Sequence, residues 1–272
     1  MALKLPAGHF LGETLRVREL SGLRLTETTY APGLKLPRHS HELAKYCFVL
    51  AGSFSETIGN REQVRQPLAL TFHPEDTTHA EAHHAAGHHF LIEVGTRWLD
   101  RTREYSATLD QPADLSGGSS LRLAAQLYNE FCHLDRISPL AIEGLVLELL
   151  AETSRSKLGE IDRRPPAWLE KATEMMRSRF TENVSLGDLA SEAGVHMVHL
   201  ARVFRKFHGC TVGHYVRQLR VEYASRQLST TDLPLVDIAA SAGFSDQSHF
   251  SRVFKSQTRM LPSEFRAVFR SR

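Results

Sequence analysis

The chain has 272 residues, 42% of them hydrophobic and 24% charged, with a formal net charge of +2. This composition excludes a mostly disordered chain, and the lack of any run near 18 unbroken apolar residues excludes a helical membrane span. Cys47, Cys132 and Cys210 are too scattered for a disulfide framework or a paired-cysteine zinc site, and the N-terminus shows no apolar core with a cleavage site. A reducing cytoplasm is therefore expected.

Residues 13 to about 95 read as short strands and turns. Leu23 to Tyr30 alternates and is rich in Thr, and Pro32-Gly33 is a turn signal. Tyr46 to Leu50 is an apolar run closed by Gly52, as expected of a buried strand. Ser53 to Ile58 alternates before a Gly59-Asn60 hairpin signal, and Leu68 to Phe72 and Phe90 to Val94 are further short runs. Such spacing predicts a sandwich or barrel. Six of the 15 histidines fall between His73 and His89, where other charges are few.

After Leu115 the pattern becomes helical. Ser116 to Ser120 reads as a loop, with Ser119 or Ser120 as helix cap. A second helix is expected from Ser138 to about Ser156, with Pro139 at its first position. Leu140, Ile142, Leu145, Val146, Leu149 and Leu150 give it a broad apolar face, which predicts packing between domains or pairing with a second copy.

A split at Asp162 separates charges of opposite sign. Residues 1–162 carry 16 Lys and Arg against 21 Asp and Glu, and residues 163–272 carry 17 against 10. The net charges are −5 and +7. Such asymmetry predicts two domains, and the basic one suits a polyanion.

The basic half contains an internal repeat. Ser185 to Val195 matches Pro234 to Phe244 at an offset of 49, and Arg202-Val203-Phe204-Arg205 matches Arg252-Val253-Phe254-Lys255 at an offset of 50. Each copy shows a short amphipathic helix, a glycine (Gly194 or Gly243) able to adopt a left-handed turn, an apolar plug and a basic second helix. This is the grammar of a helix-turn-helix, whose second helix enters the major groove. A plain helical bundle is the competing reading for one copy, and two copies in a basic segment favour DNA binding.

Residues 165–270 resemble the DNA-binding domain of the AraC family of bacterial transcription regulators. The resemblance is carried above all by Ile238-Ala239, Gly243-Phe244-Ser245-Asp246-Gln247-Ser248-His249-Phe250-Ser251-Arg252-Val253-Phe254-Lys255 and Pro262. It implies two helix-turn-helix units, about 184–208 and 233–257, joined by a long helix near Val212 to Leu228. It places Val198, Ala201, Arg202, Gln247, Ser248, Ser251 and Arg252 at base-contacting positions. Arg205, Lys206 and Lys255 suit phosphates. Arg can read guanine and Gln adenine, whereas Val198 and Ala201 can meet only thymine methyls. An ion pair with the acid of the preceding helix is the alternative for Arg202 and Arg252. Arg259 stands where the family usually has glycine, as copy one has at Gly209.

Pro32-Gly33, His39-x-His41, the strand to Leu50 and Pro74-x-Asp76-x-x-His79 resemble a cupin barrel. The resemblance implies His39, His41 and His79 as three metal-ligand positions, and Lys45 at the position of the carboxylate ligand. Three imidazoles can hold a divalent ion, with His83 or Glu42 completing the shell. Three readings stay open for this half: a small-effector pocket without metal, a metal site, and a residual cupin enzyme. The dense histidine run favours metal, though loop histidines are often merely solvated.

The expected fold is therefore α+β and multidomain. A cupin-like sensor barrel spans 1–115, a helical linker or dimerisation segment 116–162, and an all-α DNA-binding domain with two helix-turn-helix motifs 163–272. The expected function is a cytoplasmic, homodimeric, non-enzymatic regulator. Its expected partners are promoter DNA, a small effector and RNA polymerase, with no membrane and no certain cofactor.

Overall fold

A computed structural model describes residues 3–104, 107–115, 118–161 and 165–270. The chain divides into two compact units, Met1–Leu158 and Gly159–Arg272. The expected split around Asp162 lies outside the described residues.

The N-terminal unit holds β1 (Leu3–Leu5), β2 (Glu13–Leu20), β3 (Leu23–Tyr30), β4 (Lys35–His41), β5 (Ala44–Ala51), β6 (Phe54–Ile58), β7 (Arg61–Arg65), β8 (Leu70–His73), β9 (His79–His83), β10 (Gly87–Val94) and β11 (Ala113–Asp114). Two sheets form, ordered β1-β4-β9-β6-β7 and β11-β8-β5-β10-β3-β2. Their inner faces meet around a polar centre. Side chains alternate along β5: Lys45, Cys47 and Val49 face inward, while Tyr46 and Phe48 face the opposite side.

The helices α1 (Thr96–Arg103), α2 (Gly118–Cys132) and all but the last turn of α3 (Ser138–Ile161) complete this unit. α2 and α3 cover the outer face of the six-stranded sheet. Phe90 packs on Tyr128 and Phe131 at ring distances of 5.3 and 5.0 Å, and Tyr46 shares a 2.8 Å hydrogen bond with Thr153. Here the structure corrects the expectation of a separate linker. Ile142, Val146, Leu149 and Leu150 are fully buried, and α3 is tied to α2 by Glu152–Ser119 and Glu148–Arg122 and to the sheet by Thr153–Tyr46. Leu140 remains 71% exposed. The expected serine cap differs as well: α2 already begins at Gly118, and the Ser119 hydroxyl donates to Glu152 on α3.

The C-terminal unit is helical: α4 (Ala167–Ser178), α5 (Leu186–Ala193), α6 (Met197–His208), α7 (Val212–Thr230), α8 (Leu235–Ser241), α9 (Gln247–Thr258) and α10 (Pro262–Arg270). Leu169, Ala172, Met176, Leu189, Ala190, Leu200 and Phe204 form one core. The second copy buries Ile238, Ala239, Phe250, Phe254 and Phe265. Both copies turn through left-handed glycine, Gly194 (φ 70°) and Gly243 (φ 81°). Gly243 has a second reason to be glycine, since a Cβ there would lie 2.4 Å from the Thr181 carbonyl oxygen. Arg259 is also left-handed at φ 65°, matching Gly209 at 69°, so this departure from glycine carries backbone strain of about 1 kcal/mol.

Candidate nucleic-acid interface and buried polar centre

Local chemistry sets the two recognition helices. In copy one, Ser185 and Asp188 form a capping box on α5, and His196 caps α6. In copy two, Asp246 accepts the His249 amide at 2.7 Å and starts α9 where the sequence predicted. Leu200 and Phe204, and likewise Phe250 and Phe254, are fully buried, which fixes the rotation of each helix about its axis.

That rotation leaves the opposite face free. Val198, Arg202, Arg205, Lys206, Gln247, Ser248, Arg252 and Lys255 are exposed, and Ala201 and Ser251 are half-buried at the edge. The ion-pair alternative finds no support among the described residues. Arg202 meets only His199 Nδ1, at 3.3 Å. Glu192 pairs with Arg179 instead, and Asp188 is spent on Ser185. Arg252 has no polar partner among the described residues.

A cavity of about 990 Å³ opens on copy one, lined by Val198, Ala201, Arg202, Arg205 and Lys206. Arg217 and Arg220 of α7 and His249 of α9 line it too, so both copies contribute to one concave, cationic surface. Arg217 was not foreseen; it is exposed and adds charge from the joining helix. Arg220 donates to the carbonyls of Phe180 (2.7 Å) and Glu182 (3.0 Å), so it mainly braces the fold.

The barrel centre is buried and ionic. Most of the histidine run is not solvated loop: His79 and His83 lie on β9 and His89 on β10, with exposures of 0, 2 and 1%, whereas His84 is exposed in the turn between them. His39, His41 and His79 do converge, with donor atoms within 4.8 Å of one another. His39 Nδ1 lies 2.8 Å from the Pro37 carbonyl and His79 Nδ1 3.1 Å from that of Thr77. Those bonds place the protons on Nδ1 and leave Nε2 as lone-pair donors. Lys45 Nζ donates to His41 Nε2 at 2.8 Å and to His79 Nε2 at 3.4 Å.

His83 and Glu42 do not complete this set. His83 Nε2 lies 3.2 Å from Glu81, and its ring stacks on Tyr30 at 4.3 Å. Glu42 is exposed and accepts the Ala7 amide. Sequence reasoning also missed Glu56, Arg65, His73 and Glu81. Glu56 accepts from Arg65 Nε at 2.9 Å and has His73 Nε2 at 2.9 Å. Glu81 lies between His79 and His83 at 3.4 and 3.2 Å. The alternation of His79, Glu81 and His83 along β9 was a readable sign that all three share a face.

Burial sets the protonation of this centre. Burial first, then Lys45, drives the His41 imidazole far below its ordinary range. Burial and then His79 lower His39 to about 4. Burial alone would raise Glu56, but His73 and Arg65 overrule it and hold the carboxyl at about 2. His89 is lowered to about 3, chiefly by burial, and its Nε2 has no hydrogen-bond partner. The unfolded chain binds a proton at His89 near pH 6.5 that the folded chain refuses. Stability from this group is therefore complete above pH 6.5 and falls as pH drops toward 3. At pH 5 the loss is about 2 kcal/mol. Urea melts of wild type and His89→Phe at pH 7.5 and 5 measure it, and the variant shows the smaller acid loss.

A helix-turn-helix domain model matches residues 189–267. The chain is 38% identical over 99 residues to the probable transcription factor PqrA of Proteus vulgaris, covering 36% of this chain and 77% of that one. It is 33% identical over 100 residues to the regulatory protein SoxS of Escherichia coli strain K12, covering 37% and 87%. The crystal structure of a transcriptional regulator with an AraC-type DNA-binding domain, from Chromobacterium violaceum, shares 30% identity over 38% of this chain and 91% of its own, with a TM-score of 0.36. By the domain match, the two sequence relatives and its paired helix-turn-helix units, the chain belongs to the AraC family of transcription regulators.

Proposed function

We propose that this regulator reads two adjacent major-groove segments of promoter DNA through α6 and α9, and that a small effector in the N-terminal barrel changes its DNA occupancy. The observation that carries the reading is the pair of recognition helices, each seated by buried aromatics and each presenting unpaired polar and cationic side chains. Arg252 and Gln247 specify bases, Arg205, Lys206 and Lys255 hold phosphates, and copy one reads more loosely through Val198 and Ala201.

In this reading the barrel is a sensor and not an enzyme. Buried nitrogens without partners, His41 Nδ1 and His83 Nδ1 among them, are hydrogen-bonding handles for an organic ligand. The chain acts in the cytoplasm; no helix among the described residues is long and apolar enough to cross a membrane. It acts as a homodimer, for which exposed Leu134, Ile137 and Leu140 at the turn between α2 and α3 remain available. RNA polymerase is the further partner at the promoter.

Arg252→Ala tests the reading. Specific binding weakens by about 1–3 kcal/mol and discrimination relaxes at one base pair, while binding to random DNA changes little. Equal weakening on both DNAs, measured by fluorescence anisotropy at fixed salt, would make Arg252 a phosphate contact and remove its reading role.

A further inference from the structure

The three-histidine set has much of what a divalent ion needs. Its donors converge, and the backbone carbonyls of Pro37 and Thr77 fix two of its tautomers. Against it stands Lys45, which is 3% exposed and has its ammonium 2.8 Å from His41 Nε2 and 3.4 Å from His79 Nε2. An ammonium has only donors, so it occupies the lone pairs that a metal would need. A metal–imidazole bond of about 2.0–2.1 Å would bring the ion against the Lys45 nitrogen.

Electrostatic repulsion points the same way. Lys45 and Arg65 are buried beside the carboxylates Glu56, Glu81 and Glu93, the last being the cross-strand partner of Lys45 on β10. A divalent ion would set two further positive charges against the Lys45 ammonium in a poorly solvated interior.

We infer that Lys45 is the resident cation of this barrel: its ammonium stands where a metal would stand, excludes divalent ions, and leaves His39, His41 and His79 as parts of a metal-free organic site. The inference concerns only the barrel centre and is independent of how the recognition helices read DNA. It also predicts that the metal site is latent. Removing the ammonium opens it, and a carboxylate at position 45 supplies a fourth ligand.

The test is Co(II) titration of the full chain, followed by visible d–d absorption and by calorimetry. Wild type gains no absorption band and shows no site that His79→Ala removes. Lys45→Glu gains one equivalent of Co(II) with a visible band, and Lys45→Glu/His79→Ala loses it. Lys45→Met, uncharged and of similar length, gains a weaker site and covers the case in which the glutamate variant does not fold. Lys45→Arg, which keeps the charge, gains none. A wild-type site abolished by His79→Ala overturns the inference. So does a folded Lys45→Glu or Lys45→Met, intact by circular dichroism, that takes up no Co(II).

Discussion

Phe254→Ala lowers the stability of the C-terminal unit by about 3–5 kcal/mol, the cost of removing a fully buried aromatic ring and leaving a cavity. Phe254 stands edge-on to Phe250 and Phe265, at ring distances of 5.4 and 5.3 Å, so the loss falls on the seat of α9 itself. The expected result has two parts. Urea unfolding of the C-terminal unit shifts to lower concentration, and specific DNA binding falls even where the unit is still folded, because α9 no longer presents Arg252 and Gln247 at a fixed rotation. Phe254→Leu retains most of the volume and recovers most of both losses. The two tryptophans report separately, since Trp98 lies in the N-terminal unit and Trp168 in the C-terminal one. A Phe254→Ala protein with unchanged melting and binding would show that this aromatic cluster does not position the helix.

The second large effect is in the barrel. Arg65→Met removes the guanidinium that pairs with Glu56 at 2.8 Å, and Glu56 is 2% exposed. Breaking a buried pair from one side costs about 3–5 kcal/mol, because the remaining carboxylate keeps its desolvation penalty without its partner. The cost also includes the contact of Arg65 with Asp114, which ties β7 to β11. Removing both charges in Arg65→Met/Glu56→Leu recovers much of the loss, and the double-mutant cycle isolates the pair. Thermal melting of the N-terminal unit measures it. Equal stability of Arg65→Met and wild type would mean that the ionic centre is not structurally coupled.

The two halves differ in how much their sequence reveals. The helix-turn-helix copies are built from signals within a few residues of one another: the Asp246 cap, the Gly243 turn, the spacing of Phe250 and Phe254, and the repeat itself. Their base-facing residues follow from helical rotation once the core positions are known. The barrel centre is different. Glu56, Arg65, His73 and Glu81 meet only because β6 pairs with both β7 and β9, and because β8 pairs with β5 in the opposing sheet. Register between strands is not written locally, so the partners of Lys45 could not be read from its position alone. The apolar face of α3 was legible, but not its surroundings: α3 bonds to α2 through Ser119 and Arg122 and to β5 through Tyr46.

Selection of binding sites from a random DNA pool by the full chain measures whether two joined helix-turn-helix units read DNA together. The enriched motif is expected in two parts, centred about one helical turn or 10–10.5 bp apart. The part read by α9 is the sharper and is blurred at one base pair by Arg252→Ala, and the part read by α6 is looser. A pool that shows no enrichment, or a single part unaffected by substitutions in α9, would contradict joint reading by the two units.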